Sequence, residues 1–322
     1  MPHNKDEVAT FEVFEQEIQK LESLYSELGI EIPTESNLAS ASQNAFKAIY
    51  YSVFPSEAPT AAEDADTHLS ALAGLADLAA KINRARATPG FDMLRPHLAN
   101  MLQGAVRMNA RSPSTDAAGN KNSELYVACL ALGGGMTEVE LEDPVRGADG
   151  KNPDVFLKRR DHSWSIAVKT IHSAKPPSIF ANIEKAVEQI ERSGRDGIVF
   201  INLKNIINDE HAAPGPFSSP DKAVAVLLAD IDAIVRGVQS EIVDQDWIQT
   251  FAGKRARPVV AFMAQRTVVA AVPGVGLAPV AVKTMRVSTF PPASDNLTGI
   301  DAEAFNLLEE LNDELLKNPP SD

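Results

Sequence analysis

Two residues in the stretch NPDVFLKRRDHSWSIAVKT, residues 152–170, have side chains suited to metal and phosphate chemistry: the carboxylate of Asp154 and the ammonium of Lys169. The stretch predicts two short strands joined by a charged turn. Side chains alternate across a strand, so Ala167 and Lys169 share a face that Asp154 can reach from the neighbouring strand. Mg²⁺ takes oxygen ligands, often one or two carboxylates plus water. Asp154 and the backbone carbonyl of Val168 could supply two such ligands.

The elements that must position this pair follow the order α-β-β-β-α-β. SELYVACLALGGG predicts a helix beginning at Ser123, and MTEVELEDP predicts a half-exposed strand before the two strands of the opening stretch. PPSIFANIEKAVEQIERSG predicts an amphipathic helix, and GIVFINLKNI predicts a buried strand. RPVVAFMAQRTVVA and PVAVKTMRVSTF predict two more strands. We therefore expect an α/β fold with one mixed sheet.

Residues 119–205 resemble the core of the PD-(D/E)xK nuclease superfamily. The order of elements is that of the family, Asp154 follows a proline at the start of the second strand, and Lys169 ends the next strand. The resemblance implies a restriction-endonuclease-like fold. It also implies a nuclease that uses Mg²⁺ or Mn²⁺ to hydrolyse DNA phosphodiester bonds, with DNA as its partner.

Two helix residues extend the resemblance. Glu124 matches an accessory acid of some branches, and Gln189 resembles a helix glutamine of the branch that includes the RecB-type nucleases. The resemblance thus implies that Asp154, Lys169, Glu124 and Gln189 are catalytic. It implies metal ligation by Asp154, Glu124 and the Val168 carbonyl.

The sequence departs from the family at Ala167, where the family has a metal-binding glutamate. One branch of restriction endonucleases takes this acid from the following helix, and Glu184 lies fifteen positions after Lys169. Glu184 could equally belong to a solvated acidic stripe on that helix. Glu124 lies on a largely apolar helix, so its carboxylate would need a counter-ion. We expect Glu124 first and Glu184 second as the replacement acid; the alternative is a catalytically inactive module that binds a protein or nucleic acid.

Net charge, cysteine content and hydropathy indicate which partners and which cellular compartment to expect. The chain of 322 residues has a net charge of −14, which argues against broad nonspecific binding to nucleic acid. Residues 119–210 are nearly neutral, with 12 basic and 14 acidic groups. A single cysteine, Cys129, fits a reducing compartment, and no segment reaches 18 consecutive apolar residues. We expect a cytoplasmic protein without a membrane span.

Composition divides the chain into a helical region 1–112, a nuclease-like domain 113–290 and a C-terminal helix 291–322. The division rests on the loop-like composition of residues 111–122. The first helix carries an apolar stripe from Val8 to Leu28. That stripe predicts either a homodimer through a coiled coil or packing on the helix's own domain.

Overall fold

The computed structural model describes residues 11–59, 62–142, 152–211, 215–291 and 297–317. Within these ranges six strands form one sheet in the spatial order β1 to β6. The strands are β1 (Thr137–Leu141), β2 (Val155–Arg159), β3 (His162–Thr170), β4 (Asp196–Asn202), β5 (Ala256–Val272) and β6 (Gly276–Thr289). The helices are α1 (Phe11–Glu27), α2 (Asn37–Val53), α3 (Ala62–Arg86), α4 (Arg95–Met101), α5 (Ala117–Gly133), α6 (Pro176–Ser193), α7 (Pro220–Glu241), α8 (Asp244–Phe251) and α9 (Gly299–Leu316).

The sheet is mixed. β1–β2, β2–β3 and β5–β6 pair antiparallel, whereas β3–β4 and β4–β5 pair parallel. Helix α6 connects the parallel strands β3 and β4, as a parallel pair requires a crossover connection. The elements from α5 to β4 have the order α-β-β-β-α-β, so the predicted α/β class with a mixed sheet is confirmed.

The alternation of β3 separates two apolar layers. Trp164, Ile166 and Val168 pack with α5, α9 and the N-terminal helices. Ala167, from the opposite face, packs with the isoleucines of α6 and with the apolar side of α7. The strand is therefore covered on both faces by apolar side chains.

The N-terminal helices share one apolar core with the sheet. Leu21 of α1, Leu125 of α5, Ile166 of β3 and Leu308 of α9 belong to the same buried cluster. Val8, the first residue of the predicted stripe, lies outside the described residues. Within α1 the stripe packs inside the chain, and a homodimer through it has no support. The division at 112/113 stays a prediction about which segments fold alone.

Helix α5 begins six residues earlier than the sequence predicted. Asp116 caps it, since its Oδ1 accepts from the N–H of Gly119 (2.7 Å) and its Oδ2 accepts from the N–H of Ala105 (2.9 Å). Residues 117–122 are therefore helix rather than loop, and Ser123 lies inside the helix rather than at its cap. Helix α8 was also not predicted.

A buried polar network holds the C-terminal end of α9. The amine of Lys81, 1% exposed, donates to the carbonyls of Glu314 and Lys317 (2.8 Å to the second). The ammonium of Lys283 pairs with Asp77 and lies 3.3 Å from the carbonyl of Lys317. Burial, and then the charge of Lys283, lower the pKa of Lys81 to about 6.

In the parts of the chain that the structure describes, no helix has the length and apolarity needed to cross a membrane.

Candidate functional site

Asp154 is fixed at the junction of three strands. Its Oδ2 accepts a hydrogen bond of 2.7 Å from the N–H of Val168, near the end of β3. Its own N–H donates to the carbonyl of Ile166 (3.1 Å), and its carbonyl accepts from the N–H of Glu142 (3.1 Å). The side chain is 4% exposed. These contacts determine where the carboxylate points.

Lys169 lies beside this carboxylate. Its Nζ is 3.7 Å from Oδ2 of Asp154, the same oxygen that binds Val168. Lys169 is the second-last residue of β3, so its side chain leaves the apolar layer where the strand ends. The structure thus brings Asp154 and Lys169 together, as the strand pattern predicts.

Glu124 approaches from α5, and its neighbour Ser123 sets the position of that helix. Oγ of Ser123 accepts from Nδ2 of Asn202 at the end of β4 (2.9 Å) and lies 3.3 Å from Oγ1 of Thr170 at the end of β3. This anchoring places Glu124, 5% exposed, within electrostatic range of Asp154 and Lys169.

Lys121 lies at the centre of the acidic groups. Its Nζ is 2.8 Å from Oε2 of Glu124, 3.2 Å from Oε2 of Glu142 and 4.0 Å from Oδ1 of Asp154. The three carboxylates come from three elements: α5, the end of β1 and the start of β2. We refer to Lys121, Glu124, Glu142, Asp154 and Lys169 as the charged cluster.

The charged cluster has three carboxyl groups and two amino groups, so one negative charge is in excess when all five are ionised. Burial, and then the charge of Asp154, raise the pKa of Glu124 well above its usual range, against the opposing effect of the two lysines. Burial opposes the charge of Lys121, but Glu124, Asp154 and Glu142 together raise its pKa. Lys121 therefore stays an ammonium.

The donor types of the charged cluster suit a hard divalent cation, which prefers carboxylate oxygens. In a strand the N–H and C=O of one residue point to the same side, so the Val168 carbonyl is directed toward Asp154. Across the described residues, however, no group of three or more His, Cys, Asp or Glu side chains is already arranged to hold a metal ion. The oxygens are instead gathered around Lys121.

Ala167 lies two positions before Lys169 on the same face of β3, but its side chain is inside the apolar layer. The residue is 0% exposed and packs against Ile179 and Ile183 of α6 and Val199 of β4. The position at which the family has a glutamate is therefore occupied by the apolar core.

Two residues predicted for the site lie elsewhere. Glu184 is exposed on the outer face of α6 and lines a surface depression with Gln249 of α8. Gln189 is buried about one helical turn before Ser193, whose Oγ lies 3.4 Å from Oγ of Ser165. Ser165 belongs to the first half of β3, so Gln189 lies toward the other end of the strand from Lys169.

Basic groups continue beyond the ends of β3 and β4. Lys204 is fully buried, donates to the carbonyl of Gly119 (3.3 Å), and burial lowers its pKa to about 8. Burial, and then the positive charges of Lys204 and Arg111, lower the pKa of His172. Lys204, His172 and Arg111 therefore lie within electrostatic range of one another.

No family model, curated protein or solved structure matches the chain.

Sequence reasoning missed Lys121 and Glu142 as members of the site. Lys121 precedes Glu124 by three positions, a spacing that puts both on one face of a helix. Because the sequence predicts that the helix begins at Ser123, Lys121 falls outside the predicted helix and its spacing from Glu124 was not recognised. Glu142 is separated from Asp154 by residues 143–153 in sequence and joins it only through the β1–β2 pairing.

Proposed function

We propose that the protein is a divalent-metal-dependent nuclease of the PD-(D/E)xK type that hydrolyses DNA phosphodiester bonds. The observation that carries the proposal is the convergence of Asp154, Lys169 and Glu124 from three different elements into one buried cluster. The order α-β-β-β-α-β from α5 to β4, which is that of the family core, supports it.

In this proposal Asp154, Glu124 and the Val168 carbonyl hold Mg²⁺ or Mn²⁺, and Glu142 adds a third carboxylate. A bound Mg²⁺ would lower the pKa of a water ligand and stabilise negative charge on the phosphate. The Val168 N–H keeps Asp154 in one orientation, so that its second oxygen can face a ligand. Lys169 holds the phosphate or orients the attacking water. Burial keeps these charges in a low-dielectric environment, where they act more strongly.

The distribution of charge on the protein indicates where DNA would be contacted. The net charge of −14 opposes broad attraction to a polyanion. Two basic side chains near the ends of β3 and β4 reach solvent, Lys169 and Arg111, and provide a local surface for a phosphate backbone. We therefore propose contact with DNA at this edge of the sheet alone.

A second candidate function is an inactive nuclease-like module that binds a protein or nucleic-acid partner. Two observations favour it: Lys121 lies among the carboxylates that would bind a metal, and Ala167 is part of the apolar core. In that case the charged cluster only stabilises the junction of α5, β1 and β2.

Hydrolysis of labelled single- and double-stranded DNA in Mg²⁺ or Mn²⁺ distinguishes the two. The parent is compared with Asp154→Asn and with Asp161→Asn, which changes an exposed acid in the β2–β3 turn. The nuclease proposal predicts metal-dependent cleavage that Asp154→Asn removes and Asp161→Asn retains. Absence of cleavage by the parent with either metal would leave the binding module in its place.

A further inference from the structure

We infer that Lys121 is a tethered counter-cation that a divalent metal must displace, and that a DNA phosphate then receives the displaced ammonium, so that metal and DNA bind cooperatively. The inference rests on the proposed function and adds how the site is regulated.

The first step concerns which cation the three carboxylates bind. The Lys121 ammonium lies 2.8, 3.2 and 4.0 Å from one oxygen of each of Glu124, Glu142 and Asp154. An ammonium and a divalent ion seek the same hard oxygens. Their like charges repel strongly at such short separations in a buried site. The two cations therefore compete for these carboxylates.

The second step concerns movement. The Lys121 side chain is 21% exposed in its ion pair with Glu124, so one side of it reaches solvent. Its stem has four flexible carbons. The backbone of α5 is held independently by the Asp116 cap and by the contact of Ser123 with Asn202. The ammonium can therefore turn outward while Glu124 keeps its place.

The third step concerns the group that binds the displaced Lys121 ammonium. A metal ion that displaced Lys121 would add two positive charges beside Lys169. A phosphodiester offers oxygens that accept from lysine. Its arrival compensates both the metal and the displaced Lys121. Metal binding should thus be weak without DNA and stronger with it.

The test is titration calorimetry with Mn²⁺ on the parent, Lys121→Met and Lys121→Arg. Lys121→Met removes the competing charge and keeps most of the stem, so it should bind Mn²⁺ at least about tenfold more tightly. Lys121→Arg keeps the charge and should resemble the parent. Lys158→Met is the matched control, because Lys158 pairs with Glu138 (3.0 Å) and its loss changes the net charge equally.

Cooperativity is measured by repeating the titration with a short phosphorothioate DNA duplex, which resists cleavage. The duplex should raise the Mn²⁺ affinity of the parent by about 5- to 150-fold, and Mn²⁺ should raise the duplex affinity by the same factor. In Lys121→Met both of these factors should fall toward one.

A measurement on the parent alone covers the case in which Lys121→Met does not fold. Acetylation of Lys121 by a water-soluble reagent, followed by mass spectrometry, should become faster at saturating Mn²⁺ without DNA, because the displaced ammonium then has no phosphate to receive it. A rate unchanged or slowed by saturating Mn²⁺ would overturn displacement.

The outcomes separate the two proposals. Tighter Mn²⁺ binding by Lys121→Met without DNA cleavage by any variant supports the counter-cation and removes the nuclease. Cleavage by the parent, with equal Mn²⁺ affinity in the parent and Lys121→Met, supports the nuclease and removes the counter-cation.

Discussion

Oδ2 of Asp154 lies 2.7 Å from the backbone nitrogen of Val168, so a main-chain donor of β3 orients the carboxylate that β2 supplies. Val168 directly precedes Lys169, whose Nζ approaches the same oxygen. One carboxylate oxygen thus links the two strands and the lysine.

Because the Val168 N–H donates to Asp154, this residue has a structural role in addition to the role of its charge. Two substitutions distinguish these roles. Asp154→Asn can keep an acceptor for the Val168 N–H and should melt close to the parent, while DNA cleavage falls by about 100-fold or more. Asp154→Ala leaves that N–H unpaired and should in addition lower the free energy of unfolding by about 1–3 kcal/mol. Urea denaturation and a cleavage assay measure the two effects; equal stability of both variants would contradict the structural part.

Restoring the family's glutamate should fail. In Ala167→Glu a carboxylate would be buried against Ile179 and Ile183, so we expect a loss of about 3 kcal/mol or more in the free energy of unfolding and no gain in cleavage. Ser163→Glu, exposed on the same strand, is the control and should change stability little. A stable Ala167→Glu protein with increased cleavage would show that this position can join the site.

The two candidate replacement acids should differ in metal binding. Glu124→Gln removes a carboxylate next to Asp154 and should weaken Mn²⁺ binding by about tenfold or more. Glu184→Gln changes an exposed residue on the outer face of α6 and should leave binding unchanged. Calorimetry on the two variants provides the comparison, and a larger effect at Glu184 would reverse the assignment.

Lys81 should make stability depend on pH. Its pKa is about 6 in the folded protein, against a usual value of 10.5. Between these values the unfolded chain binds a proton that the folded chain does not, so stability increases as pH rises through this window. The free energy of unfolding of the parent, relative to Lys81→Met, should therefore grow from pH 6 to pH 9. Urea denaturation across that range, with Lys158→Met as control, tests this; a constant difference would mean that buried Lys81 keeps its proton.

The sequence was informative where a short-range pattern determines the structure. The alternation in SWSIAVK predicted the two faces of β3, and the periodicity of PPSIFANIEKAVEQIERSG predicted α6. These patterns arise because one face of a strand or helix is buried. They can be recognised without knowing which element packs against that face.

It was less informative where distant segments meet. Glu142 reaches Lys121 only through strand pairing, and the first-turn residues of α5 look like a loop until the Asp116 cap is known. A lysine and a glutamate three positions apart are common on exposed helices, where they contribute little. Nothing local indicates that this pair is buried among two further acids. Likewise, the composition near residue 112 gives no sign that α1 and α9 share a core.

The shared core of α1, β3 and α9 has a consequence for synthesis on the ribosome. Leu311 and Leu315 of α9 belong to the same cluster as Ile18 and Val168. The carbonyls that Lys81 binds lie at residues 314 and 317. While the chain is emerging, the α5-side face of the sheet stays uncovered where α9 will pack, and Lys81 is without these acceptors. Because α9 is translated after every other described element, the nascent protein exposes apolar surface until α9 emerges, and a chaperone could compete for that surface.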